Sequence, residues 1–476
     1  MHIQKRSGSA LRKVVAATLT AAVLGMPAAA LAQTAKEQEL EARVAELEKL
    51  VKQMAAEKAA APAPAAPVAA APAAAPAKPA GAPIQTASIT PNAAPGTSFV
   101  LTGFVKADAL FTDTEYGDVP AGSGRDFYVP GATPVESAGD AEDVDFHAHV
   151  KQSRVNFGTD TNLEGGDKLS TRFEIDFFGS ITGTERVSNT YAPVLRHAYV
   201  NWREWLVGQT WSNFMDVATL PEAVDFIGTT DGTTFVRQPQ VRFTKGGFSL
   251  SLENPETSIT TSYLTTATTP AQVLGNVTAD DSGWPDITAR YAFKGSWGHV
   301  ALAGLLRELK YQAPATDAVA SSFTPAFDEV DESTWTGALS LSGKFNIGKD
   351  DIRWMLLGGN LGRYVALNFA NDASLDLTGS GELEAIDGYA GFIAYRHMWT
   401  PKLRSTFTYA MQEHDNDSSL SSTATNESSN SWTVNLLYSP IPKLDIGAEY
   451  RQAERELEND RNGDLKRLQF TTKYSF

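Results

Sequence analysis

From residue 99 to the end of the chain, apolar and polar residues alternate in runs of about ten. The last run is the clearest. Leu468, Phe470, Thr472, Tyr474 and Phe476 share one face, and Arg467, Gln469, Thr471, Lys473 and Ser475 share the other. A period of two predicts a strand with one apolar and one wet face. The first run, 99–111, sets Phe99, Leu101, Val105, Ala107 and Phe111 against Thr102, Lys106 and Asp108. In 169–177, Leu169, Thr171, Phe173, Ile175 and Phe177 oppose Arg172, Glu174 and Asp176. Ile287, Ala289, Tyr291 and Phe293 oppose Thr288 and Arg290, and Ile446, Ala448 and Tyr450 oppose Asp445, Glu449 and Arg451. Two folds bury such strands. A soluble sandwich hides the apolar face in a core. A transmembrane barrel turns it to lipid and closes on a last strand whose aromatic end, here Phe470, Tyr474 and Phe476, sits at the membrane interface.

The connections favour the barrel. Short turns fall near 165–168, 201–204, 245–247, 295–298, 348–351, 400–402 and 440–443. Long connections lie near 113–145, 179–192, 212–234, 253–284, 311–334, 359–386, 411–430 and 452–464. Seven turns alternating with eight loops predict about sixteen antiparallel strands over 98–476. Outer-membrane barrels have an even strand count, short periplasmic turns and long outside loops. Both termini of the barrel then face the periplasm.

Ahead of the barrel the pattern changes period. Leu40, Val44, Leu47, Val51 and Met54 are spaced four and three apart. That is a heptad seam over 33–58, with valines at a and leucines and Met54 at d, which by itself favours a dimer. The run Arg43-Val44-Ala45-Glu46-Leu47-Glu48 resembles a trimer-favouring pattern, with Arg43 at g and Glu48 at e placed for an interhelical ion pair. An isolated amphipathic helix lying on a surface is the alternative. Residues 59–97 are rich in Ala and Pro, which stops helix and predicts a semi-rigid spacer. Before the coil, Lys5, Arg6, Arg12 and Lys13 precede a short apolar run at 14–24 and the small-residue site Ala30-Leu31-Ala32. This predicts a signal peptide over 1–32, cleaved after Ala32.

Composition narrows the function. There is no cysteine, so neither disulfides nor thiolate metal sites are available. The net charge is −16, and loss of four basic residues with the signal takes it to about −20, which argues against a nucleic-acid partner. No later stretch approaches the roughly 20 apolar residues of a spanning helix. The expectation is an exported protein of a Gram-negative outer membrane, in contact with lipid and lipopolysaccharide.

A sixteen-strand barrel encloses a water-filled channel. The default function is passive diffusion of small hydrophilic solutes, with selectivity set by charges at the narrowest point. In barrels of this size the third outside loop often folds inward. Here it spans 212–234 and holds Asp216, Glu222, Asp225 and Asp231 with no basic residue. Candidate pore-lining residues on the early strands are Arg154, Arg172, Glu174, Asp176 and Arg196, then Arg237 and Arg242, and later Arg290. Arg237 and Arg242 have opposite parity, so both point inward only if Pro239 marks a bulge. Guanidinium groups match carboxylates with paired hydrogen bonds, so a ring of them attracts small organic anions. The alternative is that these arginines merely balance Glu174 and Asp176.

The first outside loop, 113–145, carries nine acidic residues and one basic residue, Arg125. It suits either a solvated face or divalent cations bridging to lipopolysaccharide. His147 and His149 share a strand face, but no third metal ligand is evident beside them, so they read as structural or pore-facing. No metal or cofactor is expected. An enzyme is not expected either: His414-Asp415 is the adjacent His–carboxylate pair, and no serine nucleophile accompanies it.

Several local motifs, taken in order, are similar to the DcaP-like porins. They are Gln152-Ser153-Arg154, Arg196-His197-Ala198-Tyr199-Val200, Val207-Gly208-Gln209-Thr210-Trp211-Ser212-Asn213-Phe214, Arg237-Gln238-Pro239-Gln240-Val241-Arg242 and Gly348-Lys349-Asp350-Asp351-Ile352-Arg353, together with the heptad segment and spacer. The resemblance implies a homotrimer of sixteen-strand barrels with a periplasmic coiled-coil extension, and uptake of small organic anions such as dicarboxylates. It marks the arginines of these motifs as pore candidates. A rival role is structural. In it the coil and spacer tether the outer membrane to peptidoglycan or a periplasmic protein, and the pore is incidental.

Overall fold

The computed structural model describes Lys49 and residues 96–136, 138–139, 144–179, 183–186, 188–264, 272–279, 281–314, 329–376, 382–417, 420–421 and 423–476. The expected signal peptide, the coiled coil apart from Lys49, and the spacer apart from residues 96 and 97 lie outside these residues. So do Leu40, Arg43, Val44, Leu47, Glu48, Val51 and Met54.

One large antiparallel sheet of seventeen segments closes on itself. Its strands are β1 (Thr97–Thr114), β2 in two halves (Asp145–His149 and Arg154–Asn162), β3 (Lys168–Asp176), β4 (Val194–Trp202), β5 (Trp205–Trp211), β6 (Arg237–Lys245), β7 (Phe248–Glu253), β8 (Asp286–Gly295), β9 (Gly298–Pro314), β10 (Glu329–Ile347), β11 (Asp350–Gly359), β12 (Asp387–Thr400), β13 (Leu403–Asp415), β14 (Asn426–Tyr438), β15 (Leu444–Leu457) and β16 (Asn462–Ser475). Both halves of β2 pair with β1, so the seventeen segments make sixteen strands. The barrel closes where β1 pairs with β16 from Phe104↔Ser475 to Thr114↔Leu465.

The predicted faces hold. Leu101, Val105, Phe173, Tyr291, Phe293, Ile446, Phe470, Tyr474 and Phe476 are exposed, whereas Lys106, Asp108, Asp176, Thr288, Glu449, Arg451, Arg467, Gln469 and Thr471 are buried. Polar residues are inside and large apolar ones outside because lipid, not a core, receives the apolar face. Exposed aromatics gather at both ends of the wall. Trp205, Trp297, Trp399, Tyr438 and Phe476 lie by the short turns, and Phe111, Phe146, Trp335 and Tyr389 by the loops.

Three expected connections are wrong in length. The fifth, expected at 311–334, is bounded by Pro314 at the end of β9 and Glu329 at the start of β10. The last one is not 452–464 but the four residues 458–461. It is a tight turn, with Asp460 N–H donating to Leu457 O at 2.9 Å and Asp460 at φ 61°. The seventh shrinks from 411–430 to 416–425. Above the lipid both strand faces are wet, so apolar alternation stops while the hydrogen-bond ladder continues.

The closing seam depends on a small residue. Gly103 N–H donates to Phe476 O at 3.3 Å, and Phe476 N–H donates to Gly103 O at 3.0 Å. A Cβ at Gly103 would lie 2.2 Å from the Arg154 carbonyl oxygen and 2.9 Å from the Phe476 ring. Gly103→Val is expected to cost about 1–3 kcal/mol by overpacking. The readout is the folded, heat-modifiable band on unheated SDS gels, which should disappear at a lower temperature than in the wild type.

Candidate functional site

The third loop, 212–236, runs inside the barrel. Its turn Val217–Thr219 packs against β10 and β11, and its turn Thr230–Gly232 packs against β11 to β14. The segment leaves β5 and reaches the opposite wall, narrowing the lumen as expected. Asn213 N–H donates to Glu253 Oε1 at 2.8 Å, and Val224 N–H donates to Glu449 Oε2 at 2.8 Å.

Each acidic side chain of this loop is consumed as an anchor. Asp216 Oδ2 is 2.8 Å from His299 Nε2 and accepts from Ser342 Oγ at 3.1 Å. Glu222 accepts both arms of Arg404, at 2.7 and 2.6 Å. Asp225 accepts from Tyr128 N–H at 3.1 Å and from Arg451 at 3.4 Å. Asp231 accepts from the Tyr128 hydroxyl at 2.9 Å, from Ser429 Oγ at 2.7 Å and from Ser431 Oγ. Burial pushes the Asp231 carboxyl above the usual carboxylate range, and these hydroxyls only partly offset it. The loop is acidic by composition, but its carboxylates are engaged with the wall. They do not form a ring of unpaired negative charge.

Five of the six expected arginines divide into three groups, and Arg237 stands apart from them. Arg196 and Arg154 face Glu174 and Asp176. Arg196 Nε donates to Glu174 Oε1 at 2.9 Å and Nη1 to Asp176 Oδ2 at 2.6 Å, and Arg154 lies 3.5 Å and 3.4 Å from the same carboxylates. Arg196 is 2% exposed and locked in place. For this group the balancing alternative describes the geometry. Arg172 donates to Asp160 Oδ1 at 2.9 Å, nearer the short-turn end of the wall. Arg242 and Arg290 face backbone carbonyls: Arg242 donates to Trp211 O, and Arg290 donates to Met215 O at 2.8 Å.

The bulge expected at Pro239 is elsewhere. β6 pairs with β5 without a register shift from Arg237↔Trp211 to Arg242↔Leu206. Pro239 sits exposed in the strand between buried Gln238 and Gln240. Arg237 therefore has the other parity from Arg242. Its guanidinium lies 4.9 Å over the Trp211 ring, and its Nη1 has no hydrogen-bond partner. One register shift falls in β4, where Glu174 pairs with His197 and Ile175 with Leu195, leaving Arg196 as the extra residue. This bulge buries Arg196 and His197 side by side.

A fourth cationic group was not singled out from the sequence, apart from Arg353 within a motif. Lys344, Arg353 and Arg396, on β10, β11 and β12, surround Asp351 at 3.6, 2.7 and 2.5 Å. Three cations share one carboxylate on the short-turn half of the wall. Lys344 and Arg396 keep 26% of their side-chain surface exposed. Arg353 also donates to Leu220 O and so fixes the third loop. The available signal was parity: Lys344 alternates with exposed Phe345, and Arg396 with exposed Tyr395. What the sequence does not display is that three neighbouring strands deliver a cation to one level.

The first loop is not simply a solvated face. Its helix Ser123–Asp126 and the residues after it turn into the barrel mouth, where Tyr128 is fully buried. Arg467 donates to Gly124 O and Arg455 to Thr133 O, both at 2.8 Å. Arg125 pairs with Asp145 at 3.1 Å. His414 is buried, with Nε2 3.1 Å from Gln412 Oε1, a wall contact within its own strand.

A profile of the DcaP outer membrane protein family matches residues 121–476. Among solved structures, the outer membrane channel DcaP of Acinetobacter baumannii superposes with a TM-score of 0.61 at 22% identity, covering 80% of this chain and 98% of that one. The anion-selective porin from Comamonas acidovorans gives a TM-score of 0.47 at 11% identity, over 80% of this chain and 100% of that one. A loop-deletion mutant of OmpT from Vibrio cholerae gives 0.45 at 12% identity, over 80% and 100%. No curated protein matches the sequence. With the family match running from the first loop to the closing strand, this chain belongs to the DcaP outer membrane protein family.

Proposed function

We propose that the barrel is a water-filled channel for passive diffusion of small hydrophilic solutes, selective for small organic anions such as dicarboxylates. The observation that carries this reading is the imbalance at Asp351: Lys344, Arg353 and Arg396 converge on one carboxylate. Meanwhile the carboxylates of the third loop are tied to the wall. Arg242 and Arg290 donate to carbonyl oxygens, so their hydrogen bonds do not neutralise their charge. A solute with two carboxylates suits a wall that offers several guanidinium forks at different levels. Dicarboxylates as the class, the homotrimer and the periplasmic extension formed by 33–97 follow the resemblance and belong to this proposal.

The test is the reversal potential of the purified protein in a planar bilayer under a salt gradient, then the effect of a four-carbon dicarboxylate on the current. The expected result is stepwise conductance reversing on the anion side, with the dicarboxylate reducing the current at millimolar concentration. Reversal on the cation side would overturn the anion preference. Absence of conductance would overturn the channel and bring forward the tether formed by 33–97.

A further inference from the structure

We propose that Asp126, His147 and His149 form a binding site for a divalent transition-metal cation of the zinc class, at the loop end of the barrel. The two histidines alternate on the first half of β2, and Asp126 reaches them from the first loop. All three are buried, at 5%, 8% and 7% exposure. Their ligand-capable atoms lie within 4.8 Å of one another, the one such group among the described residues. His147 Nε2 is 2.9 Å from Asp126 Oδ1, and His149 Nε2 is 2.8 Å from the Asp126 carbonyl oxygen.

This arrangement is incomplete as a plain hydrogen-bond network. His149 Nδ1 is buried with no hydrogen-bond partner. A histidine that spends Nε2–H on a carbonyl leaves Nδ1 as a bare lone pair, which burial penalises. Two imidazoles and a carboxylate are the donor set of zinc-class cations, with bonds of about 2.0–2.2 Å. The chain has no cysteine, so a thiolate-loving ion is not the fit. Lys151 is the apparent objection, because its ammonium lies 2.7 Å from Asp126 Oδ1. The same ammonium is 2.9 Å from Oδ2 and 3.0 Å from Glu185 Oε1. The carboxylate can therefore give Oδ1 to the metal and keep Lys151 on Oδ2, as outer-shell partners of ligating carboxylates do. Glu185 Oε1, 3.8 Å from His147 Nε2, is within reach as a fourth ligand.

Binding forms metal–nitrogen bonds to His147 and His149 and a metal–oxygen bond to Asp126. Each neutral imidazole gives the metal a lone pair; where the ligating nitrogen carries the proton, that proton moves to the other nitrogen of the ring, and no electron is transferred. The cation thereby staples the first loop to the barrel wall. Tyr128, two residues after Asp126, holds Asp231 of the third loop, so the staple bears on the element that narrows the channel.

The experiment uses full-length protein purified in detergent without a polyhistidine tag and freed of metal by a chelator. Co2+ is titrated with visible absorption, and bound Zn2+ is counted by elemental analysis. Wild type should take up one equivalent per chain and develop Co2+ ligand-field bands. His147→Gln and His149→Gln should each lose more than the about 10–100-fold in affinity that an outer-shell change costs. Folding is checked by the heat-modifiable band, and Asp126→Asn replaces any histidine variant that fails it. No stoichiometric uptake by the wild type, or uptake unchanged in a folded ligand variant, would overturn the site.

Discussion

Replacing Lys344 and Arg396 together with glutamate is expected to move the reversal potential of the channel from the anion side to the cation side. In the wild type these two side chains and Arg353 surround Asp351. The double substitution leaves one cation among three carboxylates at that level. Arg353 is kept because it donates to Leu220 O and holds the third loop, so the change is electrostatic rather than steric. The barrel should still fold, since Arg353 stays paired with the buried Asp351 at 2.7 Å and the ladder of β10, β11 and β12 uses only backbone groups. Ionic strength sets the size of the effect: the Debye length is about 10 Å at 0.1 M and about 3 Å at 1 M, so the shift should be large in dilute salt and small in concentrated salt. Lys344→Gln with Arg396→Gln is the graded control, expected to bring the reversal potential toward zero without inverting it. A reversal potential that ignores both double variants would move the filter to Arg154 and Arg172, on the opposite part of the wall.

How much of this was legible in the sequence follows from what each environment demands. Lipid demands alternation, so the outward residues of β1, β3, β8, β15 and β16 were readable one by one. Turn length sorted the connections and gave the strand number. Hydrogen bonding alone holds the loop ends of β9, β10 and β13 to β16 above the lipid, and there the boundaries were missed. The channel was harder because its partners meet only in space. Arg404 and Glu222 are separated by 182 residues, and Val224 and Glu449 by 225. The acidity of the third loop was therefore visible, but not that the fold spends those carboxylates on the wall. The same holds for His147 and His149. Their shared face was visible, but Asp126 reaches them only because the first loop bends inward. Pro239 was a reasonable site for a bulge, because proline cannot donate to a ladder. β6 accommodates it without one, and the bulge that matters is made by Arg196, which carries no local sign of it.

Arg451→Ala is expected to release the third loop while leaving the barrel wall intact. Arg451 lies on β15 and is 2% exposed. Its guanidinium donates to Ser431 Oγ at 2.9 Å, to Asp225 Oδ2 at 3.4 Å and to Gly228 O. It also stands 4.4 Å over the Tyr128 ring, so a single side chain pins the third loop and the inward part of the first. Truncation strands the Asp225 carboxylate in a buried site, and breaking a buried pair from one side costs about 3–5 kcal/mol. That loss falls on the loops, because the ladder from β14 through β15 to β16 uses only backbone groups. The heat-modifiable band should persist but vanish at a lower temperature than in the wild type. Single-channel conductance should rise and become noisier as the constriction loses its fixed position. Arg451→Lys keeps the charge but not the fork that reaches three acceptors, so it should fall between the two. If conductance and thermal stability both match the wild type, the third loop is held by Glu222–Arg404 and Asp231 without Arg451, and the lumen is narrowed by a sturdier clasp than this guanidinium.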